Sequence, residues 1–231
     1  DTTGMFPTPK RNAITAICVK CGDNKKTFLA DTYKDDEAII KKFFAFLKEN
    51  DPDIIAHYNG NKFDIQYMLE RMKINGIPSG LWSRTGRSIN TFKDKIYIDG
   101  RISFDIYNEV MRDQTLSGIK NHKMKTVAKW LKFPEEVVEV SYSEMRAMVG
   151  TPELKKYVQS DVKITEFLFN IYFRNVSTMA EMLQIPLNLM VDAAASFISK
   201  IIYGRKMLNM DIVSDKSNGE RNPLYIKKKQ G

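Results

Sequence analysis

The sequence has little cysteine, histidine or glycine, and it lacks long apolar runs. Its 231 residues include two cysteines, two histidines and 12 glycines. These counts exclude a disulfide scaffold and a collagen-like chain. The longest apolar runs fall short of the roughly 18 residues that a membrane-spanning helix needs. No cationic segment followed by an apolar one suggests a secretion signal. We therefore expect a globular protein that is not secreted and has no membrane partner.

Charge is the first positive feature. The chain carries 36 lysines and arginines against 28 aspartates and glutamates, for a net charge of +8. This balance favours a polyanionic partner, nucleic acid before membrane, although many basic proteins bind neither. The length predicts one large domain with an appendage.

The two cysteines stand close together, as Cys18-Val-Lys-Cys21. A zinc site would need further ligands, and His57 and His122 are far apart in sequence. A redox pair normally opens a helix, whereas residues 14–19 have the pattern of a strand. We expect two reduced thiols near a strand end.

The order of predicted elements indicates an α/β fold. Strands are predicted over 13–19, 26–30 and 53–58, with helices over 35–50 and 63–73. This alternation is typical of a buried sheet flanked by helices. A β-hairpin is predicted over 96–104, with its turn at Asp99-Gly100. Helices are then predicted over 123–132, 143–149, 152–174, 177–183 and 187–203.

Two acidic residues are notable for their positions. Asp64 follows a strand and a turn at the start of a helix, and Asp161 lies on a helix four residues after Tyr157. The spacing of four places Tyr157 and Asp161 on one helix face. Each acid alone also has an ordinary interpretation, Asp64 as a helix cap and Asp161 as a solvated charge.

Four stretches, taken together and in order, resemble family B DNA polymerases. The second exonuclease motif of that family resembles Tyr58-Asn-Gly-x-x-Phe-Asp64-x-x-Tyr67-x-x-x-Arg71, and the third resembles Tyr157-x-x-x-Asp161. Connecting segments of the family are similar to Gly100-Arg-Ile-Ser-Phe-Asp-Ile-Tyr107 and Lys123-Met-Lys-Thr-Val-Ala-Lys-Trp-Leu131. The resemblance covers nearly the whole chain.

The resemblance implies a ribonuclease-H-like domain: a mixed central sheet flanked by helices, with an inserted β-hairpin and a C-terminal helical extension. It also implies a 3′–5′ exonuclease that removes mispaired 3′ nucleotides during DNA replication. The implied partners are the 3′ end of single-stranded DNA, primer-template DNA and the polymerase palm domain of the same parent chain. The implied location is intracellular, with the DNA of the cytoplasm, nucleoid or nucleus.

The resemblance also assigns catalytic roles. Asp64 and Asp161 would be ligands of two Mg²⁺ or Mn²⁺ ions, and Tyr157 would orient the attacking water. Oxygen ligands suit these hard cations, and paired ions suit an in-line displacement at phosphorus. A second branch of the superfamily has a histidine five residues before the last Asp. Lys156 stands there in this chain, which indicates the tyrosine branch.

Four further residues are predicted to bind the substrate. The resemblance places Asn59 and Phe63 beside the terminal nucleotide. Lys123 and Lys125 belong to a group of lysines, which also contains Lys120, Lys129 and Lys132, in a stretch without acids. Such a group is usually a solvated helix face; its alternative role is to follow the DNA phosphates, which salt dependence would reveal.

The chain also departs from the family pattern. The first exonuclease motif is an Asp-x-Glu on the opening strand, and Asp1-Thr-Thr3 does not match it. We expect that motif and its strand to lie upstream, which would leave this piece weak or inactive. No Asp-Phe-x-Ser-Leu-Tyr-Pro or Asp-Thr-Asp of the palm occurs, so polymerisation is not expected here.

The expected layout is an exonuclease domain over 1–175, a helical connection toward the palm over 176–210 and a flexible basic linker over 211–231. The main alternative is a degenerate exonuclease fold that acts as a non-catalytic DNA-binding or structural module. The residues that precede the chain would separate the two, because an Asp-x-Glu there favours catalysis. A free-standing exonuclease is a third possibility, against which the segment toward the palm argues.

Overall fold

The computed structural model describes most of the chain. The described residues are 7–30, 35–92, 95–140, 144, 147–191 and 193–209, together with the backbone of 212–213 and 227–228. The chain divides into two compact units, Asp1–Arg174 and Asn175–Gly231. Within the described part, no helix combines the length and the apolar character needed to cross a bilayer.

The first unit begins with an antiparallel hairpin. Strand β1 (Ala16–Cys21) pairs with β2 (Asn24–Leu29) across a two-residue turn. Gly22 has a φ of +55° in that turn, a conformation that glycine adopts without strain. Both cysteines are free thiols, as predicted. Cys18 lies in the middle of β1, with its Sγ 3.3 Å from Oγ1 of Thr27.

A helix, a strand and a second helix follow, as predicted. Helix α1 (Glu37–Asn50) ends where Asp51 takes a left-handed conformation. Strand β3 (Ile54–His57) leads through a short turn into α2 (Asp64–Ile74). The apolar residues of α1 recur at helical spacing and are buried: Ile39, Ile40, Phe43, Phe44 and Leu47.

The strand pairing predicted for the hairpin over 96–104 is wrong. Strand β5 (Lys95–Tyr97) pairs with the preceding β4 (Asn90–Phe92), whereas β6 (Ile102–Asp105) pairs in parallel with β3. The Asp99-Gly100 turn is closed by one bridge, between Ile98 and Arg101. Phe104 on β6 is fully buried, and the burial gained beside β3 outweighs local pairing across the turn.

Further α-helices follow among the described residues of the first unit. They are α3 (Ile106–Val110), α4 (Met124–Trp130) and α5 (Pro152–Met182), and α5 continues across the boundary into the second unit. The predicted break between 174 and 177 is therefore wrong. The segment contains no proline or glycine that would end a helix there. Residues 143, 145 and 146 of the predicted helix over 143–149 lie outside the described residues, and Glu144 and Ala147 are helical.

The second unit continues from α5 with α6 (Leu187–Met190) and α7 (Ala195–Asn209). The predicted single helix over 187–203 is interrupted after Met190, because Val191 has an extended ψ of 128°. Two strands of two residues each, β7 (Ile212–Val213) and β8 (Lys227–Lys228), pair in antiparallel orientation. The rest of the segment predicted to be a linker, 211–231, lies outside the described residues.

The described strands of the first unit form separate pairs. The β1–β2 pair and the β3–β6 pair are each two-stranded. A cavity of about 1100 Å³ lies between β1 and β3, and α1, α2 and α5 also contribute to its lining. Parallel and antiparallel pairing are thus both present, but among the described strands the predicted central sheet is divided by this cavity.

Candidate active site

The two predicted metal ligands line the same cavity. Asp64 is the first residue of α2, and Asp161 lies on the first part of α5. Both border the cavity between β1 and β3, and the negative charge of Asp161 raises the pKa of Asp64. The fold therefore brings together two carboxylates that are far apart in sequence.

Asp64 is an exposed residue at the wall of the cavity, with many protein atoms around its carboxylate. Burial is the main cause that raises its pKa to about 6, and the charges of Asp105 and Asp161 add to the effect. A carboxyl group whose pKa is raised by desolvation and by neighbouring charges is typical of a functional site.

Asp161 lies beside a tyrosine and a lysine. Burial raises the pKa of Asp161, and the ammonium of Lys125 opposes that effect. The Nζ atom of Lys125 lies 3.2 Å from Oδ1 of Asp161 and 4.0 Å from the centre of the Tyr157 ring. Burial and the charge of Asp161 also raise the pKa of Tyr157, so its hydroxyl stays protonated at neutral pH.

The lysines of α4 do not share one environment. Lys125 is mostly buried, and its Nζ also donates a hydrogen bond of 2.7 Å to the carbonyl of Val138. The interpretation of Lys125 as part of a solvated face is therefore wrong. Lys129, one turn further, forms an exposed ion pair of 2.6 Å with Glu139, and the solvated interpretation fits there.

The other predicted substrate-binding residues surround the start of α2 and α4. Phe63 borders the cavity, is 38% exposed and lies 5.7 Å from the ring of Tyr67. Asn59 has a φ of 60° in the turn before α2. Lys123 is exposed at the beginning of α4, where its backbone N–H donates to Asn121.

Two more residues of the quoted motif have an anchoring role. Tyr67 donates to the carbonyl of Asn12, and Arg71 donates to the carbonyl of Pro9. Arg71 also forms two hydrogen bonds, of 2.7 and 2.9 Å, with the fully buried carboxylate of Asp36. These contacts fasten α2 to the segment that leads into β1, and so they fix one wall of the cavity.

Sequence reasoning missed a buried carboxylate under the turn that precedes Asp64. Asp105 ends β6 and accepts hydrogen bonds from the backbone N–H groups of Asn59, Asn61 and Tyr107. The signal was available: an acid at the carboxyl end of a strand, where side chains gather beside the parallel neighbour. The signal could not be used, because the predicted hairpin paired β6 with the strand before it instead of with β3.

The donor set suits a hard cation but is small. Asp64 and Asp161 both line the cavity, and Oδ1 of Asp161 is a buried atom that lies 3.2 Å from Nζ of Lys125. Carboxylate oxygen favours Mg²⁺ or Mn²⁺. Within the described ranges, no group of three or more His, Cys, Asp or Glu side chains is arranged to hold a metal ion.

The fold is similar to that of a solved DNA polymerase. A structure described as the family B DNA polymerase from the hyperthermophilic archaeon Pyrobaculum calidifontis superposes with a TM-score of 0.76. The match covers 94% of this chain and 29% of that one, at 24% sequence identity. The predicted ribonuclease-H-like α/β class is consistent with this similarity.

Sequence comparison gives the family. Residues 1–127 match the model of the exonuclease domain of DNA polymerase family B. The chain is 27% identical over 186 residues to a DNA polymerase of Archaeoglobus fulgidus and 23% identical over 197 residues to DNA polymerase 2 of Aeropyrum pernix. The chain belongs to the family B DNA polymerase exonuclease domain family, as the motifs predicted. It spans 23% and 24% of the length of those two relatives, while they cover 79% and 83% of the chain.

Proposed function

We propose that this chain is the proofreading part of a replicative DNA polymerase and hydrolyses mispaired 3′-terminal nucleotides. The observation that carries the proposal is the meeting of Asp64 and Asp161 at one cavity, with Tyr157 and Lys125 beside Asp161. Its substrate would be the 3′ end of single-stranded DNA, reached from primer-template DNA. The net charge of +8 suits such a polyanion.

The residues take distinct roles in this proposal. Asp64 and Asp161 hold two Mg²⁺ or Mn²⁺ ions, which when bound lower the pKa of water and stabilise the leaving oxygen. The protonated hydroxyl of Tyr157 orients the attacking water by hydrogen bonding. Lys125 balances the charge of Asp161, and its ammonium is close enough to the carboxylate to meet a phosphate there.

The remaining substrate contacts lie around the turn before α2 and the start of α4. The exposed face of Phe63 offers a surface on which the terminal base stacks. Asn59, in the same turn, contacts the terminal nucleotide with its amide. Lys123 is exposed two residues before Lys125 and neutralises a phosphate further along the strand.

We further propose that an extended segment carrying additional carboxylates occupies the cavity. Among the described strands, β1 pairs only with β2 and β3 pairs only with β6, and residues of both β1 and β3 line the cavity. Unpaired strand edges are templates for another strand. An Asp-x-Glu on that strand would bring the carboxylates to four. The 231-residue chain by itself would then bind metal weakly and cleave DNA slowly.

The layout of the parent protein is part of the proposal. Residues 1–175 form the exonuclease domain, and residues 176–210 connect it to the palm domain of the same parent chain. The protein acts inside the cell, where its DNA substrate is replicated. The relatives from Archaeoglobus fulgidus and Aeropyrum pernix are about four times as long as the stretch that matches, which supports this layout.

The test is a degradation ladder. The parent protein that contains this chain is incubated with 5′-labelled single-stranded DNA and Mg²⁺ or Mn²⁺, and the products are sized over time. We expect stepwise shortening from the 3′ end, abolished by Asp64→Ala and by Asp161→Ala. Asp23→Ala removes an exposed acid from the β1–β2 turn and serves as the matched control. DNA that is bound at low salt but never cut would instead favour the non-catalytic module.

A further inference from the structure

The buried carboxylate of Asp105 supports the turn from which Asp64 projects. Asp105 is 2% exposed and ends β6 directly opposite His57, the last residue of the parallel strand β3. The chain between His57 and Asp64 crosses above this carboxylate. A charge in so dry a position is stable only when its oxygens are fully hydrogen-bonded.

Both oxygens of Asp105 have partners. Oδ1 accepts from the N–H groups of Asn59 at 2.7 Å and Tyr107 at 3.1 Å. Oδ2 accepts from the N–H of Asn61 at 3.1 Å and lies 3.6 Å from Nδ1 of His57. These contacts leave Asp105 unsuited to bind a metal ion itself, since its lone pairs already meet backbone amides.

The turn held in this way also starts helix α2. The carbonyl of Asn59 accepts from the N–H of Phe63, and the carbonyl of Gly60 accepts from the N–H of Ile65. A shift of the turn is therefore transmitted to Asp64, which lies between those two donors in sequence. Asn59 holds a left-handed φ of 60°, a conformation that the hydrogen bond to Asp105 helps to maintain.

A second layer supports the same turn. The hydroxyl of Ser103, also on β6, lies 2.9 Å from Nε2 of His57 and donates to Oδ1 of Asn61 at 3.3 Å. Nδ1 of His57 accepts from the N–H of Gly60 at 3.2 Å. Side chains at the ends of two neighbouring strands thus engage three successive residues of the turn, Asn59 to Asn61.

We propose that Asp105 is a positioning residue for the metal-binding carboxylate of Asp64 and for the nucleotide contacts of Asn59 and Phe63. A helix cap alone would need one oxygen and one local donor, such as the N–H of Tyr107. The two other donors come from a distant part of the chain, the turn that carries the site. This inference rests on the proposed function, because it assigns Asp105 to the same site.

The experiment compares two Asp-to-Asn variants of the 231-residue chain. Asp105→Asn replaces one accepting oxygen with an amide that cannot accept. Asp113→Asn is the matched control, because Asp113 caps a short 3₁₀ helix by accepting from the N–H of Thr115 and borders no part of the cavity. In each protein, amide hydrogen exchange is measured at Asn59 and Asn61, and Mn²⁺ is titrated while the broadening of the Asp64 amide resonance is recorded.

For Asp105→Asn we expect faster exchange at Asn59 and Asn61 and about tenfold more Mn²⁺ for equal broadening, as for other residues that orient metal ligands. Asp113→Asn should change neither, even if it lowers the melting temperature as much. Unchanged exchange, or equal Mn²⁺ demand in the two variants, would overturn the inference.

If Asp105→Asn fails to fold, Ser103→Ala decides the matter. That variant removes the hydroxyl beneath the turn and should shift both readouts in the same direction by a smaller factor. No shift in either readout would overturn the inference. Failure of the parent protein, which carries the further carboxylates, to bind Mn²⁺ at Asp64 would instead contradict the proposed function, since the exchange measurement involves no metal.

Discussion

Lys125 forms an ion pair with the buried oxygen Oδ1 of Asp161. Its Nζ lies 3.2 Å from Oδ1 of Asp161 and 4.0 Å from the centre of the Tyr157 ring. One lysine therefore contacts two of the three proposed catalytic residues. The positive charge of Lys125 lowers the pKa values of both Tyr157 and Asp161, against the effect of burial.

Replacing Lys125 by methionine should raise the pKa of Asp161 further above its ordinary value. The lysine ammonium now stabilises the ionised carboxylate, and burial opposes ionisation. Carbon-13 detected titration of the Asp161 carboxyl group measures the change. Lys129→Met is the control on the same helix, because Lys129 pairs with Glu139 at the surface. An Asp161 pKa that moves equally in both variants would contradict the assigned contact.

Asp64 should make stability depend on pH. Its pKa is about 6 in the folded chain against the ordinary 3.8, so the native state holds this proton more tightly than the unfolded state does. The free energy of unfolding therefore falls as the pH rises through that interval. Asp64→Asn should be more stable than the wild type at pH 7 and equally stable below the ordinary pKa.

Urea unfolding at several pH values measures this effect. Asp23→Asn, in an exposed turn, controls for the loss of one negative charge. If Asp64→Asn were less stable than the wild type at pH 7, the carboxylate would be contributing to stability, contrary to the prediction.

The buried pair of Arg71 and Asp36 should matter far more to stability than a surface pair. Arg71→Ala leaves the carboxylate of Asp36 buried without its main partner, which costs about 3–5 kcal/mol. Arg112→Ala breaks an exposed pair with Glu109 at a spacing of three on the chain and should cost less than about 1 kcal/mol. Chemical denaturation of the two variants compares them, and similar losses would contradict the prediction.

Replacing Gly60 by a larger residue should lower the free energy of unfolding. A Cβ atom at this position would lie 2.6 Å from Nδ1 of His57, so Gly60→Ala must displace the imidazole or the turn, at about 1–3 kcal/mol. A double-mutant cycle with His57→Ala measures how much of the loss comes from the contact with the imidazole. The substitution at Gly60 should cost clearly less once the imidazole is absent. An unchanged cost would place the strain in the backbone rather than in this contact.

Much of the secondary structure could be predicted from local sequence. Helix α1 follows from apolar residues at helical spacing that end before Pro52, and the β1–β2 hairpin follows from β-rich runs around Gly22. The partner of β6 could not be predicted in this way. A tight turn at Gly100 favours pairing with the strand just before it, whereas burial of Phe104 beside β3 depends on residues distant in sequence.

The sequence by itself determined the family, through the order and spacing of the motifs around Asp64 and Asp161, and it determined the positive charge. Only the tertiary structure decided how the site is built. It placed Lys125 against Asp161 instead of in solvent, and it placed Asp105 beneath the turn that carries Asp64. Local spacing defines which residues share a helix face, but burial and ion pairing between distant segments exist only after the helices and strands have packed.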